Sequence, residues 1–284
     1  MFDPNNFFNS FFVIPILNAL IVLYKLLEAV KIPGAFGFAL ILLTVLIRLI
    51  LNPLTATQLR STQKLSRLKP EIDRLTEKYK NDKGRLHQEQ LKLYQQAGIN
   101  PAAGCLPLLV QMPILIALYN LFFQILNNGN LAVVTEGINK VVYLPFLKIS
   151  SLDLTFLGLN LAHKPSEWQK LGWWLLLVPI VTGLLQYWQT KMMTPKNASL
   201  ASSRSAGEAA RSASTGQVPK KEEDMGTMMQ KQMSLMMPLM IGYFGYIFPL
   251  GLSLYWNTFT VFGIIQQYQL SKEKEVENGK NRQS

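Results

Sequence analysis

Polar side chains fall inside otherwise apolar runs of this chain, among them Thr44, Arg48, Gln111, Gln186, Gln189, Trp256, Asn257 and Gln266. Arg48 carries the most information, because it lies within Gly37-Phe-Ala-Leu-Ile-Leu-Leu-Thr-Val-Leu-Ile-Arg-Leu-Ile-Leu-Asn-Pro-Leu54. A fixed charge at the centre of a membrane-length segment costs about 2.5 kcal/mol on insertion scales. Arginine does not escape by deprotonation, since its pKa lies above about 12. Thr44 is four residues away and shares its helical face. Amides, a hydroxyl and an indole N–H can hydrate a cavity, and a guanidinium can attract an anion. Polar groups on several helices converge more readily than they face lipid, so a hydrophilic pocket is expected. The competing reading is that Arg48, about 9 Å of helix rise from Leu54, snorkels to nearby headgroups.

Bond-making chemistry finds no support. No phosphate-cradling glycine-rich loop occurs, so nucleotide hydrolysis is not expected. His87 and His163 fall in segments on opposite sides of the expected membrane and cannot share a metal. The single cysteine, Cys105, excludes an internal disulfide and a multi-cysteine metal site. Ala103-Gly104-Cys105 looks like the end of a lipoprotein cleavage site but sits a hundred residues into the chain, so it reads as small residues at a helix start. No Asp or Glu lies within an apolar run, which removes the usual relay of a coupled transporter. No serine has a nucleophile setting. Neither an enzyme nor a cofactor is expected.

The elements that must position these groups follow from charge segregation. Nearly half the 284 residues are hydrophobic and the net charge is +11, yet residues 36–54, 104–126, 171–190, 234–250 and 252–269 contain Arg48 as their only ionised side chain. A bilayer core about 30 Å thick demands runs of about 17–25 apolar residues. Five transmembrane helices in an all-α polytopic membrane protein are therefore expected. The stretches 55–103, 191–233 and 270–284 together hold 21 Lys and Arg, against six in 1–35 and 128–170. The positive-inside rule then places the N-terminus outside and the C-terminus in the cytoplasm. Met1-Phe2-Asp3-Pro4 lacks the basic region of a conventional signal peptide.

The expected organisation runs as follows: 1–35, an extracytoplasmic segment; 36–56, the first span; 57–100, a cytoplasmic helical hairpin; 101–127, the second span; 128–170, an extracytoplasmic loop; 171–191, the third span; 192–232, a cytoplasmic loop; 233–270, the fourth and fifth spans; 271–284, a cytoplasmic tail. In the first segment Asn18, Lys25 and Glu28 recur on one helical face, which suits an amphipathic helix on the outer surface; a sixth span is the alternative. Leu65, Leu68, Ile72, Leu75 and Tyr79 form a heptad-like stripe in the hairpin, with Asn81-Asp82-Lys83-Gly84 as its turn. Ten basic against five acidic residues leave that hairpin positive. It is either a solvated coiled-coil surface or a docking arm for an anionic partner such as ribosomal RNA or lipid headgroups.

Pro107 and Pro113 interrupt backbone bonding in the second span. The loop 128–170 shows no evident domain, although Leu144-Pro-Phe-Leu and Phe156-Leu-Gly-Leu suggest that it lies close to the membrane. Residues 195–222 are rich in Ser, Ala and Gly and read as disordered. Met225, Met228, Met229, Met233, Met236, Met237 and Met240 form a stripe that is either packing or a pliable surface for varied apolar partners. Phe248-Pro-Leu-Gly-Leu252 allows only a tight hairpin between the last two spans.

Several motifs resemble one family. Ile47-Arg48-Leu49-Ile50-Leu51-Asn52-Pro53-Leu54 is followed by the basic hairpin, then Asn100-Pro101 with Gly104-Cys105-Leu106-Pro107, Gln111-Met-Pro113-Ile, and Pro249-Leu-Gly-Leu-Ser-Leu-Tyr255-Trp256. In order and spacing these are similar to the YidC insertases, relatives of the mitochondrial Oxa and chloroplast Alb proteins. The resemblance covers nearly the whole chain. It implies a five-span core that inserts proteins into the bacterial plasma membrane, alone or beside the Sec translocon, through a groove open to cytoplasm and lipid.

Arg48 matches the family's groove arginine, Trp256 another groove position, and Gln189 or Gln186 a third. The hairpin matches a mobile element that receives clients. The chain departs from relatives with a large outer domain, a lipoprotein signal or a long basic ribosome-binding tail. Nascent membrane proteins are the implied partners, with the Sec translocon, the ribosome and membrane lipids beside them. No sequence-specific nucleic acid is expected, and a monomer suffices. From other classes, a solute channel or transporter and a non-inserting translocon scaffold are the alternatives.

Overall fold

The computed structural model describes residues 2–98, 106–128, 131–193 and 225–280. Cys105, the Asn100-Pro101 pair and the 195–222 segment lie outside the described residues, as do the side chains of Pro107, Met225, Met228, Met229 and Met233.

A π-helical turn, Asn9–Val13, leads into α1 (Ile14–Ala29). Helix α2 (Ala35–Ile50) starts from Gly34, whose φ of 75° is one that residues with a Cβ rarely adopt. It stops at Leu51 because Pro53 has no N–H to continue the ladder, and α3 (Asn52–Lys78) begins there with proline in its first turn. The expected first span, 36–56, is thus two helices rather than one. At 16 residues α2 rises about 24 Å. A turn at residues 79–82 joins α3 to α4 (Lys83–Gln96), which Asp82 caps by accepting from Arg85 N.

Helices α5 (Leu106–Asn128) and α6 (Leu131–Asn139) precede a loop in which the sequence shows apolar patches but no evident domain. It contains an antiparallel pair, β1 (Thr155–Phe156) with β2 (Leu159–Asn160), and a short α7 (Trp168–Leu171). Helix α8 (Leu177–Met193) follows a 3₁₀ turn at Trp173–Leu176. The last two helices are α9 (Met225–Ile247) and α10 (Leu250–Lys280), so helix continues through most of the expected tail.

The core gathers Leu17, Leu20, Ile21, Phe36, Leu40, Leu43, Leu118, Phe122, Ile138, Leu175 and Tyr255, all with 2% exposure or less. Burial of such aliphatic and aromatic surface is the main favourable term in packing. Two asparagines fasten the loop after α6. Asn139 donates to Ile149 O and accepts from Ile149 N, at 2.8 and 2.9 Å. Asn18 donates to Val141 O at 3.1 Å and accepts from Tyr143 N at 2.8 Å.

This corrects the expected polar face of α1. Asn18 is buried rather than aligned with the more exposed Lys25 and Glu28, because its amide satisfies backbone groups more than a hundred residues away. Among the described residues, one helix is long and apolar enough to cross a membrane by length and composition, namely Asn9–Ala29; Ala35–Ile50 and Leu235–Ile247 are shorter apolar helices.

The loop also caps α10. Leu250 N donates to His163 O and Gly251 N to Leu161 O, both at 2.8 Å, which satisfies two of the donors that a helix start leaves unpaired. Phe122 of α5 lies against Gly251, where any Cβ would overlap its ring. Helices α8 and α9 approach closely through Gly183 and Gly242: a Cβ on Gly242 would lie 3.5 Å from Gly183 Cα and 3.4 Å from Pro179 O. Small residues permit this in apolar surroundings, where packing rather than water exclusion draws helices together.

Candidate functional site

Helix α10 is the spine of the polar seam. Trp256, Asn257, Thr260, Gly263 and Gln267 recur at helical spacing, so they follow one side of the helix toward its C-terminal half. Helices α2 and α8 pack beside it and contribute the remaining groups.

Arg48 projects from the last turn of α2, where a cation also suits the helix dipole. It is only 6% exposed. Its Nη2 donates to the carbonyl of Phe259 at 2.7 Å, and its guanidinium carbon sits 3.4 Å from the centroid of the same residue's ring. A guanidinium over an aromatic face gains electrostatic attraction from the ring quadrupole. The Phe262 ring is farther, at 6.0 Å. Among the described residues no ion pair includes Arg48, and its Nε has no hydrogen-bond partner. Snorkelling does not describe this geometry: the guanidinium turns inward onto α10.

The other expected residues divide into local groups. Gln186 of α8 accepts from the Trp256 indole N–H at 3.2 Å. Gln189, one turn on, reaches Gly263 from the same helix and shares that surface with Arg48. Each of the two glutamines thus has a distinct neighbour on α10. Gln111 of α5 donates to the hydroxyl of the fully buried Tyr255 at 2.6 Å. Thr44 is buried, and its hydroxyl donates to Leu40 O at 2.7 Å within its own helix. Asn257 is half-buried, and its Oδ1 has no partner among the described residues. Farther along, Gln266 donates to Thr55 Oγ1 at 2.9 Å and to Asn52 Oδ1, tying α10 to the start of α3.

Sequence reasoning missed Phe259, Thr260, Gly263 and Gln267. Thr260 Oγ1 and Gln267 Oε1 are buried without a hydrogen-bond partner among the described residues, like Asn257 Oδ1. The available signal was their spacing from Trp256 on α10. Phe259 and Gly263 gave none, because a phenylalanine or a glycine in an apolar run looks ordinary.

What the seam offers is chemical but not covalent. It holds a cation without a carboxylate partner among the described residues, several amide and hydroxyl acceptors, and an indole. Such a set can bind acidic or hydrogen-bonding groups by attraction and by replacing water.

A mostly helical chain with exposed apolar helix faces and a buried cation of this kind is a helical membrane protein. The family comparison makes this specific: residues 28–278 match the model of the 60Kd inner membrane protein family, and the chain belongs to that family. Relatives include the membrane protein insertase YidC of Fusobacterium nucleatum, 30% identical over 244 residues, covering 86% of this chain and 89% of that protein. The inner membrane ALBINO3-like protein 1 of Chlamydomonas reinhardtii chloroplasts is 31% identical, covering 92% of this chain and 50% of that protein. This chain therefore spans about half the length of the chloroplast relatives it matches. A crystal structure of an active YidC insertase with its first transmembrane domain resolved matches 94% of this chain and 47% of that one, at 24% identity and a TM-score of 0.48.

Proposed function

We propose that this protein inserts integral membrane proteins into the bacterial plasma membrane, with α2, α5, α8, α9 and α10 as its five spans. The N-terminus lies outside, and the α3–α4 hairpin and the C-terminus lie in the cytoplasm. Family membership over 28–278 supports the activity. The single observation that carries the mechanism is Arg48, buried on α10 without a carboxylate partner among the described residues.

A hydrophilic segment crossing lipid leaves polar groups unpaired, at a cost of several kcal/mol each. A seam lined by Arg48, Gln186, Gln189, Trp256 and Asn257 shortens the dry path and supplies hydrogen bonds. Arg48 attracts acidic side chains of the client's outer segment. The client's apolar helix meanwhile partitions into lipid, and that burial drives the transfer. Thr44 and Gln111 act from behind the seam, since both side chains are engaged within the bundle. The hairpin receives nascent chains, and a monomer is the working unit, alone or beside the Sec translocon and the ribosome.

The test places a photo-crosslinker at Arg48, Gln189 or Trp256 and presents ribosome-stalled nascent membrane proteins. Client adducts are expected at these positions and not at the exposed Leu184. Equal adducts at Leu184 and at the seam positions would sink the reading.

A further inference from the structure

We propose that Gly263 is the positioning residue for Arg48: the side chain it lacks is the seat in which the guanidinium and the Gln189 amide meet on α10. The inference rests on the insertase reading for its functional consequence, but not for its structural one.

A Cβ at Gly263 would overlap Gln189 Nε2 and lie 2.9 Å from Arg48 Nη2. Real Cβ atoms essentially never approach other atoms this closely, so one or both side chains would have to leave. Neither obstruction is backbone. Both are ends of flexible side chains, so an added methyl moves the polar groups and leaves the helices where they are. Gly263 is itself buried on the inner side of α10, one turn beyond Phe259, the residue that supplies both the carbonyl acceptor and the ring beneath Arg48. Nη2 touches both positions: Phe259 O holds it at 2.7 Å, and Gly263 leaves it room. With one Nη2 N–H committed to Phe259 O and Nε unpartnered among the described residues, the remaining guanidinium N–H groups set the direction from which an acidic group can be met. Gly263 thus governs the aim of the cation without touching a client.

The consequence is specific to charge. Displacing the guanidinium weakens its bond to Phe259 O and its ring contact. Clients with acidic outer segments then lose their partner, whereas clients with neutral outer segments keep Gln186, Trp256, Asn257 and the apolar flank and lose at most the Gln189 amide.

The experiment compares the wild-type chain with Gly263→Ala, reconstituted in vesicles, by two readouts. The first is the rate at which phenylglyoxal, an arginine-selective dicarbonyl, modifies Arg48, followed on the Arg48-containing peptide by mass spectrometry. We expect about a fivefold faster rate in the variant, as crowding of a packed side chain implies. The second is insertion of a single-span client with an acidic outer segment beside one with a neutral segment. Here we expect about a fivefold loss for the acidic client and less than about twofold for the neutral one.

The double variant Gly263→Ala/Gln189→Ala removes the nearer obstruction and keeps the first measurement available if the single variant does not accumulate. An Arg48 modification rate equal to wild type in whichever variant folds overturns the proposal. An equal loss for both clients overturns it too, since a general packing defect would act that way. If wild type inserts neither client, the insertase reading fails, while the reactivity of Arg48 still decides the role of Gly263.

Discussion

Arg48 and Phe259 meet twice: the guanidinium donates to the Phe259 carbonyl at 2.7 Å and lies 3.4 Å from the centroid of the Phe259 ring. The two contacts come from different parts of Phe259, so they can be separated by substitution. Phe259→Leu keeps the carbonyl and removes the ring. The cation–π contribution of a desolvated pair is about 2 kcal/mol. Thermal unfolding in detergent is expected to show a loss of about that size for Phe259→Leu, and a markedly smaller loss when Arg48 is already methionine. A double-mutant cycle with no coupling would show that the ring packs near the cation without stabilising it.

Arg48→Met addresses the cost of holding the charge. A buried cation without a carboxylate is expensive to desolvate, and apolar replacement of buried charges is often neutral or stabilising by about 1–4 kcal/mol. Arg48→Met is therefore expected to match or exceed the wild-type midpoint while losing insertion of clients with acidic outer segments. A large fall in stability would mean that the arginine is chiefly a structural tie between α2 and α10.

The Gln111–Tyr255 hydrogen bond crosses from α5 to α10 at 2.6 Å, with Tyr255 fully buried. Tyr255→Phe leaves the Gln111 amide without that acceptor, at a cost of about 1–3 kcal/mol. Gln111→Leu with Tyr255→Phe removes both partners and is expected to be more stable than either single variant. Chemical denaturation of the four proteins checks this, and simple additivity of the two losses would contradict it.

How much of this could be read in advance depends on the kind of signal each residue leaves. Arg48 announced itself because a charge in an apolar run is anomalous, and the two glutamines of α8 stood out for the same reason. The motif pattern around Arg48 and Trp256 pointed to the family that the comparison over 28–278 shows. Asn18 misled, because a polar residue spaced with Lys25 and Glu28 looks solvent-facing; its partners, Val141 and Tyr143, are distant in sequence. The loop after α6 was opaque because its strands have two residues each and its order comes from Asn139, Asn18 and the start of α10. Phe259 and Gly263 were invisible for a different reason. They act through a carbonyl, a ring face and an empty volume, none of which residue type reveals before the helices are placed.

Phe156 and Gly37 show the same limitation, and they allow a test of the loop itself. Phe156, in β1, is buried against the first turn of α2, where its ring lies edge-on to Phe38 at 5.1 Å between centroids. Any Cβ at Gly37 would overlap the Phe156 side chain, down to its own Cβ, so rotation of the ring alone cannot relieve the collision. Gly37→Ala must therefore shift β1 away from α2, and overpacking of this kind costs about 1–3 kcal/mol. The helix itself should gain slightly, since alanine is favoured over glycine by about 1 kcal/mol in a helix interior. A net loss despite that gain identifies the loop contact as its source. Phe156→Ala in the Gly37→Ala background opens the space and should recover part of the loss, although Phe156→Ala alone destabilises. Hydrogen exchange at residues 154–161 separates local from global effects: Gly37→Ala is expected to accelerate exchange there more than in α8 or α9. Uniform acceleration throughout the chain would instead place the damage in α2 itself.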